Sequence, residues 1–268
     1  MPSLPPSPWS DWTGHALVVG GGGIGEALLQ GLAARAPGLQ LWCGQRRSPL
    51  GDGAAGSGDG ASTAEADATT PGPVHRFSLD VGDEVSLADL QQRALAQLTP
   101  WRLVIYTAGL LHDAAMTPEK RLSQVRRQQL ERSFSVNAWG PLLVAQAVEA
   151  ALPLDRPVLL ASLSARVGSI GDNRLGGWYA YRAAKAAQNQ LLTTLAIEWR
   201  RRLPQACVTV LHPGTTATAL SAPFRSGVPP EKLFSPERAA SQLLDVLERQ
   251  SAVDSGRFLA WDGSAIPW

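Results

Sequence analysis

Cysteine is scarce: the 268 residues hold two, Cys43 and Cys207, both inside apolar runs and without the paired spacing of a metal site. A disulfide framework is therefore not what holds the fold, and a reduced, cytoplasmic protein fits best. Neither sign of charge dominates. Lysine plus arginine number 24 against 23 aspartates plus glutamates, so a polyanion such as nucleic acid is not an expected partner. The N-terminus, Met1-Pro2-Ser3-Leu4-Pro5-Pro6-Ser7-Pro8-Trp9, lacks a basic stretch followed by an apolar run, and no apolar run approaches a bilayer span. Neither a signal peptide nor a membrane partner is expected. The four histidines, His15, His75, His112 and His212, show no ligand spacing, which leaves them packing or surface roles and the chain no metal.

What is present is an alternation of short apolar runs and helical patterns. Ala16–Val19, Leu39–Gly44, Val74–Val81, Leu103–Tyr106, Val158–Leu160, Cys207–Leu211 and Phe258–Ala260 read as buried strands. Helical patterns lie between them: Glu26–Arg35, Glu84–Leu98, a long pattern from about 127 to 151 that breaks near Gly140-Pro141, the stretch around Tyr181 to Arg200, and Pro236–Arg249. Strands alternating with helices predict an α/β fold, a single doubly wound parallel sheet of Rossmann type with helices on both faces. Residues 1–13 read as a Pro/Ser/Trp leader on the surface or mobile, and 14–268 as one domain without repeats. Residues 48–73 turn to Gly, Ala, Ser, Thr and Asp without periodicity, a low-complexity loop expected to be mobile at the surface.

Two constellations carry chemistry. Gly20-Gly21-Gly22-Gly23-Ile24-Gly25 follows a strand and opens a helix, the context in which glycines let a backbone turn tightly and approach a dinucleotide pyrophosphate at a helix N-terminus. After the second strand stand Gln45-Arg46-Arg47, with no carboxylate to bond a ribose 2′-hydroxyl. Two arginines suit a 2′-phosphate, so NADP(H) is favoured over NAD(H). Further on, Tyr181 and Lys185 stand four residues apart in a helical pattern. They share a face, so an ammonium can favour the phenolate of a tyrosine that is otherwise a poor acid or base near neutrality.

Together these motifs resemble the short-chain dehydrogenase/reductase family over its full length and in its order. The resemblance extends to Asp80-Val81, Tyr106-Thr107-Ala108-Gly109, Asn137 within Phe134–Ala138, and Pro213-Gly214. Ser164–Ile170, Gly176-Gly177-Trp178-Tyr179 and Asp254–Phe258 are similar to the subgroup of the bacterial C-factor and the sniffer-type carbonyl reductases. The resemblance implies hydride transfer between nicotinamide and a carbonyl or alcohol, with Tyr181 as acid/base and Lys185 also bonding the nicotinamide ribose. It implies that Asn137 holds a water linking Lys185 to solvent. It implies cofactor contacts from Gly20, Gly22, Gly23, Ile24, Gly25, Asp80, Val81, Ala108, Gly109, Pro213, Gly214, Thr215 and Thr218, and a homodimer or homotetramer.

Three departures matter. The glycine turn is one residue shorter than the family's Gly-x-x-x-Gly-x-Gly, and Tyr106 replaces the first Asn of Asn-Asn-Ala-Gly. The family's catalytic serine is the second of a Ser-Ser pair, and counting back from Gly168 that position is Ala165, with Ser164 before it. Ser164 is the expected carbonyl-polarising hydroxyl, with Ser169 or backbone as the alternatives. A cofactor-binding signalling or interaction protein with little turnover is the competing functional class, since a fold alone does not fix function. The expected substrate is a small carbonyl or alcohol whose identity the pocket segments, 110–121 and 219–234, do not specify.

Overall fold

The apolar runs are strands buried along their entire length in β1 (Gly14–Val19), β4 (Trp101–Tyr106) and β5 (Val158–Leu163). Burial on both faces is what a parallel sheet between two helical layers demands. The computed structural model describes residues 7–46 and 72–268. These three strands join β2 (Leu39–Gln45), β3 (Val74–Ser78), β6 (Ala206–His212) and β9 (Arg257–Ala260) in one seven-stranded sheet. Its order is β3-β2-β1-β4-β5-β6-β9, and all its pairings are parallel. Two residues each of β7 (Thr215–Thr216) and β8 (Leu233–Phe234) pair separately; strands so short leave no periodicity in a sequence.

One apolar layer packs α1 (Gly23–Arg35) and α6 (Pro236–Leu247) on the sheet, with Leu28, Leu29, Leu32, Leu243 and Leu244 buried. The other holds α2 (Glu84–Leu95), α4 (Gly140–Val148) and α5 (Tyr179–Arg202), with Leu90, Val144, Val148, Leu192 and Trp199 buried. Because β1 is flanked by β2 on one side and β4 on the other, the strand order reverses there. The crevice at the carboxyl ends of β1 and β4 is where such sheets receive ligands.

The structure refines three expectations. Of the two alternatives for the N-terminal leader, residues 7–13 lie on the domain: Trp9 is buried among Leu28, Leu32 and Leu39, Ser7 Oγ donates to Glu248 Oε1, and the Arg102 guanidinium lies over the Trp12 ring at 4.3 Å. The long helical pattern is irregular beside Gly140-Pro141, as expected. It widens into a π-helical turn over Ser135–Trp139 between α3 (Arg127–Phe134) and α4, and Pro141, directly after that turn, has no N–H to give to the carbonyls before it. Tyr106, in place of the family's first Asn, makes a bond of its own. Its phenol donates to the Val136 carbonyl of the π-helical turn at 2.7 Å, and a side chain on Gly140 would stand 2.3 Å from that phenol. The expected loop at 48–73 falls, apart from its last two residues, outside the described residues.

Candidate active site

The glycine turn closes over the end of β1. Gly20 has φ +107°, and a Cβ there would meet Thr107 Oγ1 at 2.7 Å and the Ala108 nitrogen at 2.8 Å. A Cβ on Gly25 would stand 1.9 Å from the Gly20 carbonyl oxygen, so this glycine lets α1 close onto the turn. Thr107 secures the turn by donating to the carbonyls of Val19 and Gly20, at 3.0 and 2.8 Å. At the N-terminus of α1 no side chain caps the helix, and a Cβ on Gly22 would meet nothing within 4 Å. Uncapped N–H groups under open backbone are a fit for a pyrophosphate.

Other elements converge on the turn. Gly214 has φ +76°, and a Cβ there would strike the Phe234 ring at 2.7 Å. The chain therefore turns sharply after Pro213 and runs along β8 as Thr215–Thr216. This brings the Thr218 methyl 3.3 Å from a Cβ built on Gly23, so Thr218 lies over the start of α1. Ala108 is tied by its nitrogen to the Val19 carbonyl at 3.0 Å. Asp80 accepts from the Gly82 nitrogen at 2.9 Å, and Val81 is buried beside it. Gln45 lies across Gly21, while Arg46 is exposed at the end of β2; Arg47 falls outside the described residues.

On α5, Tyr181 and Lys185 are both buried, and Lys185 Nζ stands 5.7 Å from the centre of the Tyr181 ring. Nζ donates to the Leu163 carbonyl at 2.8 Å and to Gln188 Oε1 at 2.9 Å. Burial without a carboxylate partner pulls the Lys185 ammonium down to about 7. Burial also pushes the Tyr181 phenol above its ordinary range, so it rests protonated at neutral pH. Among the described residues the Tyr181 hydroxyl makes no hydrogen bond. Glu119 and Trp178 set the start of α5. Trp178 is in the left-handed region at φ +51°, an uncommon conformation for a side chain this large, and it donates its N–H to the Glu119 carbonyl. The buried Glu119 carboxylate accepts from the Ala180 nitrogen at 3.3 Å, capping a helix whose own N-cap residue does not.

The short chain dehydrogenase family model matches residues 14–228. The chain belongs to this family. A 1-hydroxy-2-glutathionyl-2-methyl-3-butene dehydrogenase of Rhodococcus is 30% identical over 214 residues, covering 78% of this chain and 85% of that protein. The C-signal protein of Myxococcus xanthus is 34% identical over 148 residues, covering 55% of this chain and 83% of that one. In fold, the chain is similar to an NADPH-bound carbonyl reductase from chicken fatty liver, with a TM-score of 0.74, 21% identity and coverage of 96% and 100% of the two chains. The carbonyl reductase Sniffer of D. melanogaster has the same TM-score at 18% identity, covering 94% of this chain and 99% of its own.

The serine position is where the geometry is least like the sequence expectation. Ser164 is buried, and its Oγ donates to Asn189 Oδ1 at 2.7 Å. Asn189 is eight residues beyond Tyr181, about 12 Å along the helix axis at 1.5 Å per residue. Ser162, on the same face of β5, accepts from Gln188 Nε2, so both serines face α5. Ala165, by contrast, is partly exposed. Ser169 is buried, and its Oγ accepts from the Asp172 nitrogen at 3.1 Å. Asn137 is buried in the π-helical turn and pairs with both backbone groups of Leu110, donating to its carbonyl at 2.7 Å and accepting from its nitrogen at 3.0 Å. Among the described residues no hydrogen bond joins it to Lys185. Glu119 and Gln188 were missed in the sequence, because each acts through a long-range contact that spacing does not encode.

Proposed function

We propose that this short-chain dehydrogenase is an NADP(H)-dependent carbonyl reductase, with Tyr181 as the proton donor. The observation that carries the reading is the buried Tyr181–Lys185 pair on one face of α5, in a sheet whose glycine turn leaves an open, uncapped helix N-terminus. The cofactor would be held by Gly20, Gly22, Gly23, Ile24 and Gly25 at the turn, with Thr215 and Thr218 across it. Asp80, Val81, Ala108, Gly109, Pro213 and Gly214 would border it, and Arg46 with Arg47 would meet a 2′-phosphate. When bound, the reduced nicotinamide supplies the hydride.

The chain's own residues do the rest. Tyr181, protonated at neutral pH, donates its phenolic proton to the oxygen of the carbonyl as negative charge develops there. Lys185, drawing on the donor it has not spent on Leu163 and Gln188, stabilises the phenolate left behind. Ser164 is assigned a structural role, since its proton is committed to Asn189. The carbonyl is thus left with Tyr181 as its principal donor, and turnover slower than in an enzyme with the full serine set is expected.

One observation favours a second reading, a cofactor-binding protein with little turnover: Ala165 stands where the family's hydroxyl is usual. Consumption of NADPH against a panel of aldehydes and ketones, beside calorimetric titration of NADPH alone, separates the two. Binding with substrate-dependent oxidation supports the reductase, and binding without it supports the second reading.

A further inference from the structure

The face of α5 that carries Lys185 continues into a polar side chain where packing against a sheet ordinarily places an apolar one. Gln188, three residues on, is 0% exposed. Its partners fix which end of its amide points where. Lys185 Nζ, 2.9 Å from one end, can only donate, and the Leu163 carbonyl, 3.2 Å from the other, can only accept. Oε1 therefore faces the ammonium. Nε2 faces β5, where it also reaches Ser162 Oγ at 2.6 Å.

We propose that Gln188 is a positioning residue for the Tyr181–Lys185 pair: its Oε1, locked by Ser162 and Leu163, keeps the buried Lys185 ammonium charged and beside the Tyr181 ring. This rests on Tyr181 and Lys185 being the reacting pair. The ammonium has two neutral acceptors and no carboxylate, so each acceptor weighs heavily on its charge. Titratable groups on the elements packed against α5 do not take over that role. Arg166 pairs with Asp172 at the surface, and Arg132 of α3 pairs with Asp113. Arg127 and Glu131 of α3 pair with each other, and Glu149 meets Trp199 and Arg202 toward the far end of α5. On β6, Cys207 contacts Thr209, and among the described residues no hydrogen bond joins His212 to Lys185. Glu119 is engaged at the helix start, through the Ala180 nitrogen. With burial already holding Lys185 to about 7, removal of one acceptor turns the ammonium into an amine at neutral pH.

The sequence makes the test direct, because it contains three lysines, Lys120, Lys185 and Lys232. The Nζ resonances of the 15N-labelled protein can be followed through a pH titration and assigned with Lys185→Met. Gln188→Leu, close in volume and without an acceptor, should lower the Lys185 midpoint by about one unit or more and leave the other two in place. Gln188→Glu, which keeps the acceptor and adds charge, should raise it. The ascending limb of the pH profile for alcohol oxidation should move upward in Gln188→Leu. An unmoved Lys185 midpoint in either variant overturns the proposal; should Gln188→Leu fail to fold, Gln188→Glu decides alone. Tyr181→Phe, assayed in parallel, keeps the two questions apart: turnover retained there removes the reacting pair, whatever the Lys185 midpoint does.

Discussion

Replacing Ser164 by alanine separates what the family pattern suggests from what the geometry supports. The Ser164 hydroxyl is buried and gives its proton to Asn189 Oδ1 at 2.7 Å, while Asn189 Nδ2 has no partner among the described residues. Removing the hydroxyl leaves the amide oxygen buried and unpaired as well. An orphaned buried acceptor costs about 1–3 kcal/mol, which urea denaturation monitored by tryptophan fluorescence resolves. Catalysis should hardly change, because the bond that is lost lies about two helical turns from Tyr181. Loss of an oxyanion-type donor would instead slow hydride transfer about a hundredfold or more. Single-turnover reduction of an active aldehyde by NADPH reads that rate. Ala165→Ser, which adds a hydroxyl at a partly exposed position, is expected to accelerate it. Wild-type stability in Ser164→Ala together with a hundredfold slower step would return Ser164 to the reacting carbonyl.

Three further outcomes are expected. Burial lowers His212 to about 4 from 6.5, so the folded protein binds fewer protons than the unfolded chain between those values. Its contribution to stability is present above pH 6.5 and is lost as the pH falls toward 4, by up to about 3 kcal/mol; His212→Gln should flatten that part of the denaturation profile. Trp9→Ala should cost about 3–5 kcal/mol by opening a cavity beside Leu28 and Leu32; an unchanged melting temperature would return residues 7–13 to the status of a loose leader. Arg46→Ala should narrow the preference for NADPH over NADH in fluorescence titrations, by about 1–3 kcal/mol if Arg46 bonds the 2′-phosphate. Equal wild-type affinities for the two cofactors would remove that assignment.

The sheet was legible because strands buried on both faces are written as apolar runs, and the glycine turn because nothing but glycine fits at Gly25, where a Cβ would stand 1.9 Å from backbone. Tyr181 and Lys185 were legible as a helical pair because their spacing is local. Contacts between distant segments were not. Residues 1–13 were legible as a leader that lies on the surface or moves, but not that the burial of Trp9 depends on α1 and β2. The helix irregularity near Gly140-Pro141 was legible, because those residue types usually interrupt helices. Its form was not: a π-helical turn directly before Gly140, in which Tyr106 satisfies the Val136 carbonyl and Asn137 pairs with Leu110. The direction of Ser164 depends on how β5 ends against α5, and Gln188 reads as one more polar residue on a long helix until its contacts with Lys185 and Ser162 are seen.

Tyr181 is proposed to deliver the proton in a nicotinamide-dependent carbonyl reduction. NADPH oxidation by wild type and by Tyr181→Phe, with an aldehyde or ketone that the wild type reduces, tests it most directly when NADPH binding is titrated on both proteins. Phenylalanine keeps the ring against Trp178 and Lys185 and removes only the hydroxyl. NADPH affinity should stay within about twofold, and turnover should fall at least about a hundredfold, the scale of a lost general acid. Turnover of Tyr181→Phe within a few fold of wild type would contradict the claim.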